Sequence, residues 1–131
     1  MTLFNACKYT SFLLVYFIFF GCQSPQTTEG LVVNDSLNLG VLKKGDQVPF
    51  TVNLTNPTTD YVRIVSVKGD CGCITVNKSP EGLKPGQNGI VNATYNSKVD
   101  EKLTGTILKN IVIQVDKKPF IHAVKLTVAL N

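Results

Sequence analysis

The chain is poor in the residues that most often carry chemistry. In 131 residues it has no tryptophan, one methionine and one histidine, and charged residues make up 17% of it. Structural zinc wants four ligands. A lone histidine, His122, with the few cysteines does not supply them within one chain. Thirteen basic residues against nine acidic leave a net charge of +4. The lysines are scattered, with no dense run, which excludes a nucleic-acid patch and reads as solvated lysines on strand faces and turns. No helical stripe of apolar residues appears after the first thirty positions, so a helical bundle is excluded. No nucleophile–base arrangement, glycine-rich phosphate loop or paired-carboxylate motif is visible. Nothing here predicts an enzyme or a cofactor.

What is present begins with an apolar run. Residues 1–10, "MTLFNACKYT", carry one positive charge, Lys8, and residues 11–20, "SFLLVYFIFF", are unbroken in their apolar character. That core is half the length of a membrane span, which needs about 20 residues. Gly21 and Cys22 follow, then polar "QSPQTTEG". The order is that of a secretory signal over residues 1–21. Gly21-Cys22 resembles the cut site read by lipoprotein signal peptidase, with Phe19 where leucine is usual. Cys22 is therefore the expected lipidation site, anchoring the protein to a membrane. Residues 22–30 read as a polar tether and 31–131 as one domain. Cys7 leaves with the signal and Cys22 carries lipid, so Cys71 and Cys73 are the pair left in the mature domain. A bacterial cell envelope, periplasmic or at the outer membrane, is the expected location, and disulfides persist there.

From Leu31 the apolar period is two. "QVPFTVNLTN" places Val48, Phe50, Val52 and Leu54 on one face. "SLNLGVL", "YVRIVSV", "CITV", "IVNATYN", "ILKNIVIQV" and "PFIHAVKLTVAL" supply further strands. "NKSPEGLKPGQNG" reads as loop and "SKVDEKLTGT" as a polar connection. In the last strand Val124, Leu126, Val128 and Leu130 share a face, and His122 falls on the same parity as a strand-end histidine with an ordinary hydrogen bond. About seven short strands predict an all-β, immunoglobulin-like β-sandwich. Without tryptophan and a widely spaced cysteine pair it is not antibody-like. "NLT", "NKS" and "NAT" match a glycosylation pattern, but outward parity on strands produces Asn-x-Thr by itself.

The stretches "VNLTNPTTDYVRIVSV", "DCGC", "LKPGQNGIVNATYN" and the lysine-bearing "GTILKNIVIQV", followed by a final strand, resemble the bacterial family called domain of unknown function fifteen-seventy-three. The resemblance runs from about Leu37 to Leu130. It rests on Cys71-Gly72-Cys73 and on the spacing of Pro85, Gly86 and Gly89. Asp70 stands where the family often has serine, and Ile74 where it often has threonine. The resemblance implies an immunoglobulin-like fold in secreted or lipid-anchored envelope proteins, with no established activity. More distant relatives mostly act as binding modules.

Residues i and i+2 of a strand lie about 6.6 Å apart, near the upper limit of about 6.8 Å for disulfide-bonded Cα atoms. Gly72 is expected to relieve that by bending the backbone. A bridge, redox exchange, monovalent copper held by two thiolates, and free thiols all remain open for Cys71 and Cys73. The expected role is a non-enzymatic binding or assembly module with a membrane anchor and an envelope protein partner. The alternative is a thiol–disulfide or copper-handling protein.

Overall fold

The computed structural model describes residues 30–131. The signal segment, Cys22 and most of the tether lie outside them. The described chain is all β apart from a one-turn 3-10 helix. Its strands are β1 Val32–Val33, β2 Ser36–Leu42, β3 Gln47–Thr55, β4 Val62–Gly69, β5 Ile74–Lys78, β6 Gly82–Leu83, β7 Asn88–Asn96, β8 Gly105–Val115 and β9 Ile121–Leu130. They form two sheets, β1-β3-β7-β5 and β2-β9-β8-β4-β6. The sandwich predicted from the alternation is present. The strand number differs from the expected seven because β1 and β6 are two-residue pieces, too short to leave a pattern.

Alternation explains the packing. Phe50, Val52 and Leu54 of β3 and Val91, Ala93 and Tyr95 of β7 face Ile111 and Ile113 of β8 and Val124, Leu126 and Val128 of β9, all buried in one core. Each large apolar side chain so buried contributes about 1.5–3 kcal/mol. The outward positions of the smaller sheet are mostly threonine and asparagine. Thr51 stands opposite Asn92, Asn53 opposite Ile90 and Thr94 opposite Pro49 across β3 and β7, and Asn53, Asn77 and Asn92 of the three Asn-x-Thr/Ser matches lie on this sheet.

The leading segment divides between the sheets: β1 pairs antiparallel with β3 and β2 runs parallel to β9. A shift of register between Asn38 and Val41 interrupts β2. There Gly40 takes a positive φ of 79° and its N–H donates to Asn38 Oδ1 at 2.8 Å. Such a bulge discourages further strands from adding to the edge.

Strand directions give the sandwich two poles. At the proximal pole lie Gly30, the Asn56–Tyr61 turn, the Lys84–Gln87 turn and the β8–β9 hairpin at Asp116–Phe120. At the distal pole lie the Lys43–Asp46 turn, the Asp70–Cys73 corner and the segment 97–104. Gly30, assigned above to the tether, is already buried in the fold. A Cβ there would stand 2.6 Å from the Lys118 carbonyl oxygen.

Candidate functional site

Cys71 and Cys73 sit where the chain crosses from one sheet to the other, between β4 and β5. Their sulfurs are bonded, with Cα atoms 5.2 Å apart. Cys73 is fully buried in the core cluster, and Cys71 is half-buried against it. With the sulfurs joined neither is a thiolate, so the bridged corner has no ligand for copper. Among the described residues no cluster of three metal-ligating side chains occurs.

Both sheets hold the corner. On the β8 side the Asp70 N–H donates to the Asn110 carbonyl at 3.0 Å. Asp70 Oδ2 accepts from the Asn110 backbone N–H and from its Nδ2, both at 2.9 Å. On the β7 side the Asn96 N–H donates to the Cys73 carbonyl at 2.7 Å. Asp70 thus has a partner in Asn110, four strands on in sequence.

The bend is made possible by a different glycine from the one expected. A Cβ on Gly69 would fall 2.5 Å from the Ile74 Cβ, so only glycine lets β5 fold back over the end of β4. A Cβ on Gly72 would meet nothing within 4 Å, and its φ is not in the left-handed region. The role assigned to Gly72, relieving the backbone, is therefore not a steric requirement. What Gly72 contributes is an exposed, side-chain-free tip beside Cys71.

A polar cluster missed by the sequence reading lies next to the corner. Asp100, in the 3-10 helix Ser97–Asp100, accepts from the Tyr95 hydroxyl at 2.8 Å and from Lys109 Nζ at 3.0 Å. The Lys109 and Asp100 side chains are 16% and 8% exposed, so this pair is largely desolvated. Burial, then the Asp100 carboxylate, push the Tyr95 hydroxyl well above its ordinary pKa of 10.0. Ser97 Oγ donates to the Lys43 and Asp46 carbonyls at 2.9 and 3.0 Å. "SKVDEKLTGT" is thus no mere polar connection, and Lys109 is not a solvated surface lysine. The signal was available: Lys109 shares the inward parity of Ile107, Ile111 and Ile113.

The other motif residues are at the opposite pole. Lys84-Pro85-Gly86-Gln87 is a turn in which the Gln87 N–H donates to the Lys84 carbonyl at 3.0 Å, with Gly86 at φ +71°. Proline before a positive-φ glycine is the chemistry such a turn demands. The Gly86 N–H donates to the Asn56 carbonyl at 2.7 Å. Buried Asn56 sends its Nδ2 to the Asp60 and Leu83 carbonyls at 2.8 and 2.9 Å. Its Oδ1 accepts from the Thr58 N–H and hydroxyl at 3.1 and 2.7 Å. A Cβ on Gly89 would lie 2.7 Å from Leu83. Pro85 and Gly86 therefore lock a turn, Gly89 makes room within β7 for Leu83, and none of them forms a site with the cysteines. The stretch read as loop includes β6, whose Leu83 is fully buried. His122 is also at this pole. Its Nε2 is buried with no hydrogen-bond partner among the described residues. Burial lowers its pKa below the ordinary 6.5, opposed in part by a hydrogen bond to the Pro119 backbone.

A sequence profile described as "Protein of unknown function (DUF1573)" matches residues 31–130. The chain belongs to that family. No individually curated protein matches it. Among solved structures this DUF1573 domain is similar to a protein of unknown function from Porphyromonas gingivalis W83, with TM-score 0.68 and 19% identity over 78% of this chain and 47% of that one. It is also similar to the secreted serine protease VesC from Vibrio cholerae, with TM-score 0.61 and 16% identity over 79% of this chain and 23% of that one. A third likeness is to the ASH/PapD-like domain 7 of human CEP192, with TM-score 0.53 and 13% identity over 77% of this chain and 84% of that one. The chain spans less than half the length of the first two. At these identities the shared property is the PapD-like, immunoglobulin-like fold.

Proposed function

We propose that this DUF1573 protein is a lipid-anchored, non-enzymatic module of the bacterial cell envelope. Cys22 attaches it to a membrane, and the Cys71–Cys73 corner meets an envelope protein partner. One observation carries the reading: the corner is tied to both sheets, yet its tip, Gly72, is exposed at the pole away from Gly30. A tip so fixed costs little entropy to bind, and the pole away from the anchor is the one a partner reaches. The edge β2 is bulged, which leaves tips and faces rather than that edge as the surface for recognition.

The anchor is tested by Cys22→Ala, which is expected to release the protein into the soluble fraction or stall its processing. Unchanged mass and membrane retention would overturn it. The docking tip is tested by a photo-crosslinking residue at position 72 in intact envelopes, with position 90 on the Thr/Asn face as comparison. One discrete adduct from position 72, lost when Cys71 and Cys73 are both alanine, supports the reading. An adduct only from position 90 refutes it.

A second reading, thiol–disulfide exchange, is favoured by half-exposed Cys71 beside open Gly72. An incoming thiolate would attack Cys71 Sγ, forming a mixed disulfide and expelling Cys73 as a thiolate. Cys73 is packed in the apolar core, where a thiolate is disfavoured and leaves slowly. Hence structural use of the bridge is the stronger reading. Cys73→Ala keeps the accessible thiol, and accumulation of a mixed disulfide in the envelope would reverse that ranking.

A further inference from the structure

The aromatic residues of the described chain divide cleanly. Phe50 and Tyr95 are buried in the core, whereas Tyr61 and Phe120 are 49% and 51% exposed. Both exposed rings lie at the proximal pole, with Ile121 and Val32 also exposed there at 62% and 45%. Tyr61 follows Asp60, which pairs with Lys117 at 3.9 Å. Phe120 ends the hairpin that carries Lys117 and Lys118. Gly30, Thr58, Asp60, Lys117 and Lys118 line a shallow cleft of about 290 Å³, so the departing chain, the turn and the hairpin lie side by side. The charges at this pole are Arg63, Lys84, Lys117 and Lys118 against Asp60, Glu81 and Asp116. Asp116 faces Arg63 at 3.9 Å.

Half-exposed rings next to lysines are what a membrane–water interface selects. Ring faces contact acyl chains while polar ends and ammonium groups stay among headgroups. The position of the pole makes the match specific. Eight residues, Gln23 to Gly30, separate the lipidation site from the fold, and fully extended they reach no more than about 29 Å. A domain held so closely presents the pole nearest its tether to the bilayer.

We infer that the proximal pole rests on the membrane. Tyr61, Phe120 and Ile121 sit at headgroup level, and Lys117 and Lys118 lie against anionic lipids. The inference depends on the lipid-anchor reading above and adds an orientation to it: the Cys71–Cys73 corner points away from the bilayer.

The lack of tryptophan supplies the test. The processed, acylated full chain carrying Phe120→Trp is reconstituted into vesicles of phosphatidylethanolamine with a minority of phosphatidylglycerol, some of it brominated. A second chain carries Val99→Trp at the distal pole. Flotation reports anchoring, and fluorescence reports contact. The inference requires the Phe120→Trp indole to be blue-shifted and quenched by bromolipid, with the Val99→Trp indole neither. Lys117→Glu with Lys118→Glu in the Phe120→Trp chain should weaken the quenching, and unchanged quenching would remove the lysines from the contact. Chains that float while both indoles stay unquenched, or quench equally, overturn the orientation and leave the anchor standing. Chains that fail to float overturn the anchor itself. If Phe120→Trp does not fold, Ile121→Trp at the neighbouring exposed position replaces it.

Discussion

The two poles of the sandwich are closed by different chemistry. At the proximal pole one neutral side chain, Asn56, joins two turns through four hydrogen bonds to uncharged partners. At the distal pole the closures are a covalent bridge and a buried ion pair; a carboxylate on a backbone amide occurs at both poles, Asp70 on Asn110 here and Asp116 on Arg63 at the other. Neutral carboxamide bonds lock turns without calling for a counter-ion. The distal pole has charge in its interior, so each member there depends on its partner. Single substitutions should therefore do more harm at the distal pole, unless they touch only the exposed tip.

The largest effect is expected from Lys109→Met, which leaves the Asp100 carboxylate buried with only the Tyr95 hydroxyl. The loss should be about 3 kcal/mol in denaturant unfolding. A loss below that of Asn56→Ala would reverse the ranking of the poles. Asn56→Ala itself should cost about 2 kcal/mol, since it leaves the Leu83 carbonyl buried without its donor.

How far the sequence reveals each pole follows the same division. Alternation in β3 and β9 marks the core because each strand is long and buried on one face. The distal ion pair leaves only a lysine on an inward parity, and its partner lies in a stretch whose composition is that of a loop. Gly72 drew attention by standing between cysteines, whereas Gly69, which the bend needs, is visible only once Ile74 is seen lying over it. Asn56 belongs to "NPTTD", which turn chemistry explains without hinting at burial. Contacts between residues far apart in the chain are what the period of a single strand cannot report.

Replacing both Cys71 and Cys73 by alanine should lower stability by about 1–2 kcal/mol, because the closed loop is very short. Alanine is preferred to serine because position 73 is fully buried and a hydroxyl there would add its own desolvation cost. A loss as large as that of Lys109→Met would make the bridge a global staple rather than a local one.

Acid should separate the poles further. His122 has its pKa depressed by burial. The unfolded chain therefore binds the proton more readily, and stability should fall as pH drops below about 6.5 toward the folded-state value. Melting curves across that range should show the decline in the parent and not in His122→Gln. The smallest effect is expected at the tip: Gly72→Ala should be neutral or stabilising by up to about 1 kcal/mol, since the new methyl group meets nothing and the unfolded chain loses freedom. Marked destabilisation would mean the tip is held in a conformation that requires glycine.

The division of the leading segment between sheets has a mechanical consequence. Tension entering at Gly30 first meets β1, held to β3 by the Val32–Thr55 and Val33–Leu54 pairs alone, and these peel apart one after the other. Beyond them the pull runs along β2, which lies parallel to β9, so the remaining backbone bonds are sheared together rather than unzipped. A domain tugged by its tether would thus yield a few residues of slack at low force and then resist.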